Sequence, residues 1–252
     1  MNIRPGTARD VTTAEGPRLG WPKGLLWGIA LGPALLWIAA VWYAHLSPDA
    51  FIRLTKEDGW VENGQVTLFV LAAVLAGMNA RMLCRLAHQR WAWVYSLAAF
   101  GLIGVSGEEV SWGQRAFGWH TPTWVAAHNL QGETTIHNLV GVSWLTSRLM
   151  YAGALGMVLL ALASRSRWLR RRGLHSALWI PHPVLIPVWL CYLAGNSEWV
   201  ERLTLGWYPQ AQWELVTRGL QEIRELVLAF GVAGFFMMTF SLLRRRFVDP
   251  PS

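Results

Sequence analysis

The sequence predicts an all-α fold, a polytopic integral membrane bundle of about six transmembrane helices with an interfacial or re-entrant segment between the third and the fourth. Two observations lead to this prediction. Of the 252 residues, 53% are hydrophobic and only 15% are charged, whereas soluble domains hold about a quarter charged residues. Apolar runs also recur at lengths near the roughly 20 residues that a helix needs to cross a bilayer core. An ordinary soluble domain is therefore excluded.

Six apolar stretches are predicted to span the membrane. The first contains no Asp, Glu, Lys or Arg and is too long for the apolar region of a signal peptide, so we expect an uncleaved span. The fifth is short and polar at its far end. The predicted spans are residues 24–46, 64–82, 91–109, 142–163, 183–195 and 226–243. They predict one transmembrane domain, 24–243, between a cytoplasmic tail at 1–23 and a basic cytoplasmic tail at 244–252.

Basic residues predict the orientation, because Lys and Arg near span ends are retained on the cytoplasmic side. With the N-terminus inside, 15 of the 22 basic residues lie in the cytoplasm, among them Arg244, Arg245 and Arg246. Six spans then place both termini inside, and we expect a multi-pass protein of a cell membrane, the bacterial inner membrane. The basic loop at 165–173 indicates contact with anionic membrane lipids rather than nucleic acid.

Acidic residues concentrate on the opposite side, and several share one depth. Glu62, Glu109 and Glu225 each lie 19 residues from an arginine at the inner end of the same predicted span. At a rise of 1.5 Å per residue this separation is about 28 Å. The three carboxylates are therefore expected at the outer edge of the hydrocarbon, where charges are costly and usually paired.

The densest polar passage, residues 107–138, follows the third span. It is interrupted at Gly113, Gly118 and Pro122, and its stretch 124–129 is too short to cross the bilayer. We expect that stretch to lie along or dip into the outer interface. Irregular backbone at this depth needs protein or water to satisfy its polar groups, so a polar cavity is expected.

This passage supplies most of the candidate site residues. A helix is expected to start near Gly132, which would place Glu133 and His137 four residues apart on one face. Carboxylate and imidazole groups are both acid–base catalysts and metal ligands. The candidate catalytic residues are Glu108, Glu109, Glu133 and Glu225, and the candidate ligands of a divalent metal ion are Glu109, Glu133, His137 and His128.

Structural interpretations of the same residues stay open. Glu133 and His137 could form an ordinary hydrogen-bonded pair at a helix start. Arg115 lies six or seven residues beyond Glu108 and Glu109 and could pair with one of them. Such a pair would be structural and would compete with a ligand role.

Two segments carry resemblances. GEEVSWGQRAFGW, followed by QGETTIHN, resembles a signature of bacterial polytopic membrane proteins, which implies a membrane fold but no particular activity. EDGWVEN, residues 57–63, is similar to the acidic N-terminal segment of alkaline ceramidases, membrane hydrolases with a zinc ion held by three histidines. The H-x-x-x-H pair that closes that family's site is missing here, so the resemblance does not imply a zinc–histidine site.

Two functional hypotheses follow. The first is a metal-dependent, lipid-modifying membrane enzyme or hydrolase whose site takes a lipid from the outer leaflet. The second is a non-catalytic membrane protein, an assembly partner or a small transporter, in which the same residues form a buried polar network. A transporter would be expected to show broken helices near mid-membrane in corresponding halves.

Reporter fusions test the predicted topology. Fusions after Ser164 and at the C-terminus should both report the cytoplasm, because an even number of predicted spans precedes each. A fusion after Gly132 should report the outside, because an odd number precedes it. A periplasmic signal at the C-terminus would contradict the six-span prediction.

Overall fold

The computed structural model describes residues 20–56, 59–164, 178–195 and 206–248, without the side chains of Arg115 and residues 246–248. This part of the chain is helical and contains no β-strand, which confirms the all-α prediction. The helices are α1 Lys23–Leu46, α2 Pro48–Thr55, α3 Trp60–Arg85, α4 Gln89–Glu109, α5 Gln114–Phe117, α6 Thr123–Ala126, α7 Val142–Ala163, α8 Ile186–Ala194 and α9 Gln210–Val248, with 3-10 turns at Ser111–Gly113 and Pro183–Leu185.

Four helices among the described residues are long and apolar enough to span a membrane. They are α1, α7, α9 and the stretch Pro48–Arg85, which contains α3. Large apolar side chains on α1 and α7 point outward, including Trp27 (65% exposed), Leu35 (63%) and Leu149 (62%). Such faces suit contact with lipid chains, whereas soluble proteins rarely expose contiguous apolar surface of this kind.

α3 and α9 pack side by side in a constant register. The Gln65 amide nitrogen donates to the Glu222 carbonyl oxygen over 2.8 Å, and the Asn79 amide nitrogen donates to the Phe236 carbonyl oxygen over 3.0 Å. In both bonds the acceptor lies 157 residues after the donor. The two helices therefore run parallel, and hydrogen-bonded amides fix their alignment at two levels.

The other helices pack on this pair. α4 returns antiparallel to α3 after a short turn, and its Tyr95 ring packs edge-on against Phe236 of α9, with centroids 5.6 Å apart. α8 approaches α9 closely, since a β-carbon at Gly231 would lie 2.9 Å from the Trp189 ring. α2 packs on the first half of α9, where Phe51, Val216 and Leu220 share a buried cluster with residues of α1.

The structure corrects one predicted helix start. α7 begins at Val142, and the helix expected near Gly132 is absent: residues 131–141 form turns and bends. Gly132 and Gly141 have φ angles of +70° and +86°, a backbone region that favours glycine and interrupts a helix. The Asn129 side chain also accepts from the backbone N–H groups of Gln131 and Glu133, which competes with helical hydrogen bonding.

Other predicted features lie outside the described residues. These are the basic loop 165–173, residues 1–19 of the N-terminal tail, residues 249–252 of the C-terminal tail and the residues just beyond the fifth predicted span.

Gly219 of α9 tests the packing of α2. A β-carbon there would lie 2.7 Å from the Phe51 ring and also contact the Thr55 hydroxyl, and both side chains are buried. We expect Gly219→Ala to lower the free energy of unfolding by about 1–3 kcal/mol, because overpacking forces α2 away from α9. Thermal unfolding in detergent measures the effect.

The matched control is Gly77→Ala in α3, where the added β-carbon meets no atom within 4 Å. That change should be neutral or stabilising by up to about 1 kcal/mol, since alanine favours the helix over glycine. Equal stabilities of the two variants would contradict the packing described for α2.

Candidate functional site

A strained turn ends α4 and positions the two adjacent glutamates. Ser111 and Trp112 have φ angles of +48° and +54°, and Gly113 follows at +78°. Positive φ at non-glycine residues costs about 1–3 kcal/mol each, so surrounding contacts must hold this turn. One such contact is the Trp112 ring, which lies over Gly107: a β-carbon there would be 2.8 Å from the ring.

Glu108 fastens the following loop to the end of α4. One carboxylate oxygen accepts from the Trp112 indole N–H over 2.6 Å. The other accepts from the backbone N–H groups of Ile136 (2.6 Å) and His137 (3.0 Å) and contacts His137 Nδ1 at 3.1 Å. With these contacts to both oxygens, Glu108 acts as a structural anchor in this conformation.

Glu133 is held in the same loop. Its carboxylate accepts a hydrogen bond from the hydroxyl of Ser111, which is fully buried. The loop is further closed by Asn129, whose amide nitrogen donates to the Thr135 carbonyl over 2.8 Å, and by Gln114, which accepts from the Thr134 N–H over 2.8 Å. Within residues 110–141, polar side chains therefore satisfy backbone groups and hold the segment together.

A second group of carboxylates lies between α3, α4 and α9. The Glu109 carboxyl lies in the field of the carboxyls of Glu225, Glu222, Glu62 and Glu108. The side chains of Glu109 and Glu225 are partly buried, and neither makes a hydrogen bond in the described part of the chain. We call Glu62, Glu109, Glu222 and Glu225 the acidic cluster.

Gln65 borders the acidic cluster. Its amide nitrogen also lies 3.1 Å from a carboxylate oxygen of Glu222, and its side chain is fully buried. Its carbonyl oxygen has no hydrogen-bond partner among the described residues. A buried acceptor without a donor is costly, so this oxygen is available to a proton donor or a cation.

The structure divides the predicted site residues between two places. Glu109 and Glu225 belong to the acidic cluster, whereas Glu108, Glu133 and His137 stabilise the loop. The two places adjoin, because Glu225 interacts electrostatically with His137. His128 is exposed, and its ring contacts the Trp124 carbonyl over 2.8 Å. Within the described ranges, no three His, Cys, Asp or Glu side chains are arranged to hold one metal ion.

Glu133 and His137 were predicted to act together because a helix from Gly132 would place them on one face, and their contacts correct this prediction. They do not share a helix face: Glu133 bonds Ser111, and His137 contacts Glu108. Arg115, the competing partner of the adjacent glutamates, has its side chain outside the described residues.

The candidate site residues predicted from the sequence do not include Glu62, Glu222 or Gln65. Glu62 could have been included, because it lies 19 residues from an arginine at the inner end of its span, as Glu109 and Glu225 do. Gln65 lies three residues after Glu62 and therefore near the same face of α3. The contact of Gln65 with Glu222 depends on the register of α3 and α9, which no local pattern encodes.

No family model matches this chain, and comparisons with curated proteins and with solved structures found no similar protein. The geometry of the two groups of residues therefore carries the functional argument.

Glu108→Ala should release the loop. The change removes the acceptor of the Ile136 and His137 N–H groups and of the Trp112 indole, and each lost hydrogen bond costs about 0.5–1.5 kcal/mol at such partly exposed positions. We expect faster amide hydrogen exchange across residues 127–141 and a lower melting temperature. Glu214→Ala, at an exposed position of α9, is the control and should change neither quantity. Unchanged exchange in Glu108→Ala would contradict the anchoring role.

Proposed function

We propose that this protein is an integral membrane enzyme, a hydrolase or other lipid-modifying enzyme, that uses the carboxyls of Glu109 and Glu225 for acid–base chemistry. The observation that carries the proposal is their placement. Two partly buried carboxyls from α4 and α9 interact with each other, and neither is used in a hydrogen bond of the described residues. Buried polar groups ordinarily have such partners, so this pair suits a substrate or an ion.

Neighbouring carboxyls provide both halves of acid–base catalysis. Repulsion between them favours a state in which one is protonated and the other ionised. In hydrolysis, the ionised carboxylate accepts a proton from the attacking water, and the protonated carboxyl donates its proton to the leaving oxygen. Proton exchange with solvent then restores the starting state. Glu62 and Glu222 strengthen the repulsion by adding negative charge nearby.

We propose a divalent metal ion as the alternative to the shared proton, because a cation would equally relieve this repulsion. Carboxylate oxygens and the Gln65 carbonyl oxygen favour a hard ion such as Mg²⁺, Ca²⁺ or Mn²⁺. Glu109 and Glu225 are the ligands proposed first, since the carboxylate of Glu133 and the ring of His137 already bond within the loop. Binding would require glutamate rotamer changes, because no three acidic or histidine side chains within the described residues are placed to share an ion.

The proposed substrate is a membrane lipid from the outer leaflet. Residues 110–141 mix polar side chains with apolar ones that are mostly exposed: Phe117 (78%), Trp124 (71%), Leu130 (67%), Val140 (67%) and Ile136 (62%). Exposed aromatic and aliphatic groups interleaved with polar ones suit the membrane–water interface. A segment lying there would bring lipid headgroups to the adjoining acidic cluster.

We also propose that the chain crosses the bacterial inner membrane six times, with both termini in the cytoplasm. α4 and α8 would add two crossings to the four long apolar helices. α4 has 21 residues, which corresponds to about 31 Å, and it packs along α3. Pro183–Ala194 is apolar but shorter, so the fifth crossing depends on residues outside the described ranges.

One observation favours the alternative, a non-catalytic protein such as an assembly partner or a small transporter. Glu108 and Glu133 are both engaged in loop hydrogen bonds, as expected of a buried polar network rather than a reactive site. The enzyme requires the carboxyls of Glu109 and Glu225, whereas the hydrogen-bond network of the loop does not use them.

Amide substitutions at these two positions test the enzyme. We expect Glu109→Gln and Glu225→Gln each to lower lipid turnover by at least about 100-fold, because a neutral amide neither accepts nor donates the reacting proton. Turnover is measured by mass spectrometry of lipids after incubation with the protein in mixed-lipid vesicles. Thermal stability should stay equal or rise in both variants, since each change removes like-charge repulsion.

Glu214→Gln is the matched control and should retain turnover. Metal analysis after exchange, with and without chelator, tests the ion, and Glu109→Gln should lower the bound metal content. The enzyme proposal would fail if the wild type left all lipids unchanged while both amide variants lost stability, a result that favours the structural network.

A further inference from the structure

Arg224 lies at the level of the acidic cluster, but its guanidinium group forms no salt bridge with a described carboxylate. Its guanidinium carbon lies 5.4 Å from the centre of the Tyr192 ring of α8. Within the described part of the chain, no carboxylate oxygen lies at salt-bridging distance from it, although it attracts Glu225 over a longer range. Its Nε atom is buried and has no hydrogen-bond partner there.

This arrangement is unusual for an arginine in a membrane bundle. Ionised side chains at such depth are costly and ordinarily pair with an acid or a backbone carbonyl. Guanidinium groups are especially suited to two-point pairing with carboxylates, and Glu225 is the next residue on α9. The side chain instead packs on an aromatic face, a contact that retains its charge and leaves hydrogen-bond donors unused.

The depth of Arg224 along α9 indicates which kind of anion could reach it. Arg224 precedes Arg244 by 20 residues on the continuous helix α9, which places it about 30 Å from the basic end. That height matches the opposite headgroup region of a bilayer. Tyr151 of α7, which is 37% exposed, donates to the Leu193 carbonyl over 3.5 Å, so an exposed side chain of α7 lies against α8 one residue from the buried Tyr192.

We propose that Arg224, supported by Tyr192, binds the phosphate group of a phospholipid and thereby selects a phosphate-bearing lipid as the substrate of the proposed enzyme. A planar guanidinium with free N–H donors matches phosphate oxygens. The phosphate would then lie on the side of the acidic cluster where Glu225 follows Arg224 on α9. The claim that this lipid is a substrate rests on the proposed function. Binding of the lipid to Arg224 does not depend on turnover.

Binding measurements on the full-length protein in detergent test the site. The probes are a short-chain phosphatidylglycerol, the matching diacylglycerol without phosphate, and inorganic phosphate, each titrated against intrinsic tryptophan fluorescence. We expect Arg224→Gln to weaken phosphatidylglycerol binding by at least about tenfold, since charge-assisted hydrogen bonds are lost. Diacylglycerol binding should not change. Arg218→Gln, at an exposed arginine on the same helix, is the control and should bind like the wild type.

Inorganic phosphate separates two sources of the same chemistry. Competition with phosphatidylglycerol would show that the phosphate group alone is recognised, and lack of competition would show that the lipid is required; both results support the site if they depend on Arg224. Wild-type affinity in Arg224→Gln would overturn it. If that variant does not fold, Arg224→Lys decides: weaker phosphatidylglycerol binding supports two-point binding by the guanidinium, and wild-type affinity overturns it, because lysine binds phosphate only as a point charge.

Glu109→Gln separates this inference from the proposed function. Loss of turnover with retained phosphatidylglycerol binding supports both. If the wild type shows no turnover but its binding depends on Arg224, only the enzyme proposal fails. If turnover depends on Glu109 while binding ignores Arg224, only the phosphate site fails.

Discussion

The parallel contact between α3 and α9 is the constraint on which the other parts depend. Gln65 and Asn79 each place an amide nitrogen on an α9 carbonyl at the same sequence offset. The two bonds are 14 residues apart, or about 21 Å along the helix, so neither helix can slide or rotate without breaking one. Small buried residues of α3 between them, Ala72 and Ala76, allow the close approach that such bonds need.

The acidic cluster is a consequence of this pairing. The register that places Gln65 on Glu222 also brings Glu62 of α3 near the first half of α9. α4 returns beside α3 and ends at Glu109 on the same level. Four buried or partly buried carboxylates then lie at one level, and a proton or a bound cation would relieve their repulsion. Helix packing thus concentrates negative charge that a lone helix would leave separated.

The loop after α4 separates anchoring from reactive carboxylates. Adjacent residues of a helix point about 100° apart, and here that difference sends Glu108 to the backbone of Ile136 and His137 and Glu109 to α9. The positive φ angles at Ser111 and Trp112 are tolerated because hydrogen bonds from both side chains hold the turn. One glutamate therefore stabilises the site, and its neighbour remains available within it.

Apolar runs of the right length and a low charge content are local properties, and they were sufficient to predict an all-α fold with helices long and apolar enough to span a membrane, and the approximate bounds of those helices. The constant helical rise also predicted a common depth for Glu62, Glu109 and Glu225. Tertiary structure alone decided which side chains meet. Glu133 and His137 turned to different partners because Asn129 and two glycines replaced the expected helix with turns. Glu222 and Gln65 joined the cluster through the register of α3 and α9. Rotation about the helix axis and side-chain contacts across 157 residues depend on packing between distant segments, which periodicity along one segment does not specify.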